Sequence, residues 1–118
     1  MANALPTDAY RCGQLYAVIT ALEKLASPNG RSALDQPGAR ARAAKRPYDH
    51  LHKPLNRAVE FLMAARARRK GTEAEALFLA IPALLPQTLS LPRSFGDTQQ
   101  EQFGDGFHAW SGTAAGKA

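Results

Sequence analysis

Apolar residues in the first quarter of the chain recur at helical spacing. At 100° per residue they occupy an arc of about 80°, as expected for a narrow buried stripe. These positions are Cys12, Leu15, Ile19, Leu22 and Ala26. The pattern predicts a helix that begins at Thr7 or Asp8, either of which can cap the first free amides, and ends near Ala26. Ser27-Pro28-Asn29-Gly30 then stops it.

The middle of the chain is less regular. Because Pro37-Gly38 interrupts any long helix, we predict a short helical turn at Ser32–Gln36, then a weakly ordered basic connection over 39–46, whose alanines supply no packing face. A long helix is then expected to begin at Pro47 or Tyr48 and to end at Arg69. Because a proline inside a helix removes a hydrogen bond, the alternative is that this helix begins at Pro54. Its apolar stripe is Leu51, Leu55, Ala58, Leu62 and Ala65.

The last third predicts two further helices. Gly71 ends the long helix, and Thr72 to Glu75 has the pattern of a capping box, so a helix bent by Pro82 is expected to run to Leu85. A loop over 86–96 buries Leu89 and Leu91, and a short helix runs from Asp97 to His108. Gly104-Asp105-Gly106 is interpreted as a helix-end turn.

No segment alternates apolar and polar residues in the manner of a strand. The sequence therefore predicts an all-α protein, a compact helical bundle of four to five helices in one domain over 1–118. Residues 1–6 and 112–118 are expected to be loose ends. The single cysteine favours a reducing, cytoplasmic compartment, and we expect neither a secretory signal nor a membrane span.

Positive charge is concentrated in the middle of the chain. The whole chain carries 15 basic and 10 acidic residues, a net +5. Between Arg31 and Lys70 there are eleven basic residues against three acids, a net +8, while the remainder is −3. Eight of those eleven are arginines, which suit bidentate contacts with phosphate.

The sequence contains no convincing motif for catalysis, for metal binding or for a cofactor. His50 and His52 are two apart and so point in nearly opposite directions on a helix, unlike an i,i+4 metal pair. Cys12 lies within the apolar arc, which favours a buried inert thiol over a nucleophile. We therefore expect no enzymatic activity, no metal and no cofactor.

The basic residues suit nucleic-acid phosphates, which repeat along a strand and demand no base-specific geometry. Few aromatic residues accompany them, so backbone contacts are favoured over sequence reading. The alternative is a helical adaptor or inhibitor whose basic face binds an acidic protein surface. The proposed nucleic-acid-binding residues are Arg40, Arg42, Lys45, Arg46, Lys53, Arg57, Arg66, Arg68, Arg69 and Lys70.

Both ends of the chain resemble a known family. The stretch from Ala9 to Val18, AYRCGQLYAV, resembles the "AYRLGRLFAV" helix opening in the C-terminal region of the type I-C CRISPR Cascade large subunit. Ile81–Pro86 resembles that family's "FP" segment, and the stretch from Thr98 to His108 resembles "LEEQGLFALGYYHQ". Near Phe107 the family's tyrosine pair and glutamine are replaced.

The resemblance implies a separately made Cascade small subunit, because Met1 stands directly before the matched region. Such a subunit is a non-enzymatic helical bundle of an antiviral ribonucleoprotein. It helps to hold the guide–target heteroduplex and the displaced strand of the R-loop. Its implied partners are other Cascade subunits, further copies of itself, guide RNA and target DNA, without a membrane. Tyr10, Gly13, Leu15 and Val18 match as packing positions.

Overall fold

The computed structural model describes residues 7–86 and 90–111, which contain six α-helices, one 3-10 turn and no strand. The all-α prediction is confirmed, with six helices in place of four to five. They are α1 (Asp8–Ala26), the 3-10 turn (Ala33–Asp35), α2 (Ala39–Lys45), α3 (Pro47–Asn56), α4 (Ala58–Ala67), α5 (Gly71–Leu84) and α6 (Asp97–Ser111).

Helix α1 is the central element, and the other helices pack around it. Its predicted bounds are confirmed: the Thr7 hydroxyl accepts a hydrogen bond from the Tyr10 amide at 3.1 Å, and Ser27 ends the helix. Almost every residue from Cys12 to Leu22 is buried, well beyond the narrow arc expected from the sequence. The chain has no charged residue in that stretch, which is the composition of a helix buried on all sides.

Two glycines bring α1 and α6 into backbone contact. A Cβ atom at Gly13 would lie 1.9 Å from the Phe103 carbonyl oxygen, and one at Gly106 would lie 2.0 Å from that of Tyr10. Residues 104–106 lie inside α6, which runs from Asp97 to Ser111, so the interpretation of these residues as a helix-end turn is wrong. Small residues there let two helix backbones approach closely.

Helix α2 replaces the weakly ordered connection that the sequence predicts over 39–46. Its alanines do supply a packing face, since Ala39, Ala43 and Ala44 are buried against α3 and α6. Gly38 precedes the helix at φ 79°, a left-handed conformation that favours glycine. Tight packing of small side chains thus compensates for a seven-residue length that is marginal in isolation.

The predicted long helix over 47–69 is two helices, α3 and α4. Pro47 begins α3 as expected, and Pro54 lies inside it. Pro54 has no amide to donate and crowds the preceding turn, and α3 ends two residues later. The predicted stripe is largely correct: Leu51, Ala58, Leu62 and Ala65 are buried, and Leu55 is half-buried.

Helix α4 ends in a Schellman arrangement centred on Arg69 and not on Gly71. The Lys70 amide donates to the Ala65 carbonyl at 2.8 Å, and the Arg69 amide donates to that of Arg66 at 3.0 Å. Arg69 takes the left-handed position, φ 64°, that glycine usually occupies. The predicted capping box is also wrong, because no side chain caps α5 and Glu75 instead pairs with Arg66 at 2.9 Å.

The chain between α5 and α6 packs back on the bundle. Pro82 lies within α5, and Leu91 and Phe95 are buried. The Phe95 amide donates to the Lys45 carbonyl at 2.9 Å. Helix α6 runs on to Ser111, past the expected end at His108. Leu89 and the two loose ends lie outside the described residues.

Candidate nucleic-acid interface

Three depressions in the surface of the bundle adjoin one another through shared lining residues, and together they are called the groove. The first, the Tyr16 cavity, lies between α1, the 3-10 turn, α2 and α6. Leu34 joins it to the second, the Lys53 depression, which α3 and α4 border. Glu23, Arg57 and Phe61 join the second to the third, the Arg31 depression beside the 27–31 turn.

The groove connects basic residues that are far apart in the sequence. Arg40 lines the Tyr16 cavity, and Lys53 and Arg57 line the next depression. At the far end Arg68 donates to the Pro28 carbonyl at 3.3 Å, which places the end of α4 beside the Arg31 depression. Cations from α2, from α3 and from the residue between α3 and α4 thus line adjoining depressions.

Three of the ten proposed residues are held in exposed ion pairs. Arg46 lies 3.9 Å from Asp49, Arg57 lies 3.4 Å from Glu60, and Arg66 lies 2.9 Å from Glu75. These side chains are about half or more exposed, from 47% to 71%. Such pairs contribute about 0–1 kcal/mol each, so a phosphate can replace the carboxylate at little cost.

The other seven proposed residues have no acidic partner within ion-pair distance among the described residues. All are exposed except the half-buried Lys70. These seven are Arg40, Arg42, Lys45, Lys53, Arg68, Arg69 and Lys70. Their guanidinium and ammonium groups are therefore accessible to an anionic ligand.

The charge of the groove is mixed, and its acids are engaged locally. The Glu23 carboxylate accepts from the Ser32 hydroxyl and from the Ala33 amide, the latter at 3.2 Å. Asp35 lies 3.0 Å from Lys24. Asp49 and Glu60 carry the arginine pairs described above. The basic residues expected on one long helix over 47–69 are divided between α3 and the end of α4, because the helix breaks after Asn56.

Sequence reasoning missed two features beside these residues. Arg31 lines the third depression, although it lies outside the ten residues proposed from the sequence. On the outer side of α3, the Arg93 guanidinium lies 4.0 Å from the centre of the Tyr48 ring, which stacks on His52 at 4.5 Å. The i,i+4 spacing of Tyr48 and His52 could have indicated that stack.

The residues weighed for catalysis or metal binding do not assemble a reactive site. Cys12 is fully buried, and burial, with a smaller contribution from the charge of Asp8, raises the pKa of its thiol to about 12. His50 lines the Lys53 depression whereas His52 stacks on Tyr48. Over residues 7–86 and 90–111, no three His, Cys, Asp or Glu side chains come together as metal ligands.

Neither the hydropathy of the helices nor comparison with known proteins points to a further site. In the part of the chain that the structure describes, no helix combines the length and apolar character needed to cross a bilayer. Comparison with protein-family models, with curated proteins and with solved structures finds no match to this chain.

Proposed function

We propose that this chain is a non-enzymatic small subunit of a CRISPR-guided DNA-surveillance complex of the Cascade type. It binds nucleic-acid backbones and thereby stabilises the guide–target heteroduplex and the displaced strand. The observation that carries the proposal is the accessibility of seven of the ten proposed cations. Four of them lie at the groove: Arg40 and Lys53 line it, Arg42 lies beside it at Gly38, and Arg68 contacts Pro28 at its far end. The resemblance of 9–18 and 98–108 to the type I-C family supplies the biological setting.

The groove suits a flexible strand better than a rigid duplex. Its cations come from α2, α3, the junction of α3 and α4, and the 27–31 turn, and they line three separate depressions. A single strand can pass from one depression to the next, and each phosphate contact adds a modest, sequence-independent stabilisation. In strand exchange, where the heteroduplex formed and the duplex lost are nearly balanced, a few such contacts shift the equilibrium.

A salt titration with charge variants tests the backbone contacts. The chain is expected to bind single-stranded DNA of scrambled sequence, with affinity that falls steeply as salt rises. Arg66, Arg68, Arg69 and Lys70 are replaced together by glutamine. The slope of log K against log salt should then fall in magnitude by about 3, because each of the four lost phosphate contacts contributes about 0.7. Fluorescence anisotropy measures the affinity, and circular dichroism checks that helicity is unchanged.

A matched pair of double variants controls for net charge. R40Q/R42Q removes two cations at the Tyr16 cavity, and R11Q/R93Q removes two outside the proposed set. Only the first should weaken DNA binding beyond the effect of net charge. Equal affinities for the two variants, or an unchanged quadruple variant, would refute the proposed contacts.

Two further measurements address the Cascade assignment and the alternative. Added to a type I-C Cascade that lacks its small subunit, the chain should increase the fraction of target DNA in R-loops. A polyglutamate of matched charge should not compete with single-stranded DNA. Efficient competition, with no effect on R-loops, would favour an adaptor for an acidic protein surface.

A further inference from the structure

The Tyr16 cavity has the size of a site for one small planar group. Its volume is about 270 Å³, just below the range of about 300–1,000 Å³ that accommodates drug-sized ligands. It opens at the end of the groove where Arg40 and Arg42 lie. An extended ligand would not fit inside it, but a single heterocycle can enter from a strand that runs along the groove.

One wall of the cavity provides a stacking surface held in place by its neighbours. The ring of Phe107 is half-buried, and the Arg40 guanidinium lies 4.6 Å from its centre. Tyr16 packs edge-on against Phe107, with ring centres 6.0 Å apart. Unpaired nucleobases stack on aromatic rings and on guanidinium planes, and every base has such a face.

The other walls carry groups that can hydrogen-bond to the edge of a base. The buried Thr20 hydroxyl donates to the Tyr16 carbonyl at 2.7 Å, and its oxygen can still accept. The Asp35 carboxylate and the Gln36 amide also line the cavity. Because Lys24 lies 3.0 Å from Asp35, the charge of that carboxylate is offset, and it can accept from an exocyclic amine.

We propose that the Tyr16 cavity captures one unstacked nucleobase of the strand whose phosphates contact the groove. This inference rests on the proposed function and adds a base-binding subsite to it. The base lies against Phe107 and Arg40, and its polar edge faces Thr20, Asp35 and Gln36. Arg42, whose guanidinium lies against Gly38 at the cavity, meets the adjoining phosphate. The stacking contact holds a displaced strand whatever its sequence, and the Asp35 carboxylate adds a preference for a base that carries an exocyclic amine.

Abasic DNA separates base capture from backbone binding. A single strand of scrambled sequence should bind the full chain at least about fivefold more tightly than an abasic strand of equal length, as expected for one stacked base. Equal affinity of the two strands would overturn this inference alone. Failure of both strands to bind would overturn the proposed function and, with it, the subsite.

Blocking the cavity locates the effect. Ala41 is exposed at the cavity, so A41L adds bulk at the opening without removing a charge or a core contact. A41L should abolish the preference for the base-containing strand while leaving the affinity for abasic DNA unchanged. The control A76L makes the same change at an exposed position on α5 and should retain the preference. A preference that survives A41L would place base capture elsewhere and overturn this assignment.

Discussion

Arg69 shows how one residue's conformation adjusts the end of a helix. With φ 64°, it takes the left-handed position that closes α4, where most L residues are strained. This conformation of Arg69 was not predictable from the sequence, because Gly71 stands two positions away and is the residue expected to close a helix. The left-handed residue also projects a cation at the tip between α4 and α5, next to Arg68 and Lys70.

Arg69→Gly should therefore make the protein more stable. Glycine adopts positive φ without strain, so we expect a gain of about 0.5–1 kcal/mol in the free energy of unfolding, measured by urea denaturation. Arg68→Gly is the matched control, since Arg68 has φ −95° and ψ 11° and gains nothing from glycine. It should lower stability. A loss of stability in Arg69→Gly would contradict the strain argued here.

At the scale of elements, the glycines of α1 and α6 determine how these two helices pack. Gly13 and Gly106 each face a backbone carbonyl oxygen of the other helix at a distance that excludes a side chain. The sequence predicted both helices, but not that they touch backbone to backbone, because a glycine within a helix is ordinarily a sign of weakness. Only the packing shows which glycines are required.

Ala substitutions distinguish the required glycines from the tolerated one. Gly13→Ala and Gly106→Ala should each lower the free energy of unfolding by about 2–4 kcal/mol, because the helices must separate to admit a methyl group. Gly104→Ala is the control on α6, where an added Cβ meets nothing within 4 Å. It should raise stability by up to about 1 kcal/mol through helix propensity. Thermal unfolding of the three variants measures both effects, and equal destabilisation by all three would argue against the close crossing.

Helices α2, α3 and α4 mark the limit of what periodicity predicts. The stripe from Leu51 to Ala65 correctly identifies the buried side across both α3 and α4. Pro54 inside a predicted helix indicated that the helix could be interrupted. The directions in which Arg57 and Arg66 project after the break were not predictable from the sequence. Helix α2 was missed because its buried face consists of alanines, whose contribution depends on what packs against them.

At the scale of the whole molecule, the candidate site was predictable in composition and not in arrangement. The sequence shows that the middle of the chain is basic, and in the folded protein nine of the ten proposed basic residues are exposed. It could not show that Leu34 and Phe61 connect the depressions, since those contacts join residues distant along the chain. Nor could it show that α6 supplies Phe107 beside Arg40.

Two buried acidic groups also make the stability of the whole molecule depend on alkaline pH. Burial raises the pKa of the Cys12 thiol from 9.0 to about 12. Burial likewise raises the pKa of the Tyr16 phenol from 10.0 to about 12, although the charges of Arg40 and Arg42 oppose the shift. In the unfolded chain both groups ionise at their ordinary values, so above those values the unfolded state holds fewer protons than the native state. Stability therefore falls as pH rises.

The expected loss occurs between pH 9 and pH 12, in two steps. From pH 9 to 10 the Cys12 thiol dominates, with a slope of up to about 1.4 kcal/mol per pH unit, and above pH 10 Tyr16 adds a comparable slope. Urea denaturation of the wild type and of Cys12→Ala at a series of pH values tests this. Cys12→Ala should be less stable than the wild type at neutral pH, because the substitution leaves a cavity. Its free energy of unfolding should no longer show the decline below pH 10 that ionisation of the thiol causes in the wild type. Parallel curves for the two proteins would mean that the thiol ionises as readily in the folded core as in the unfolded chain.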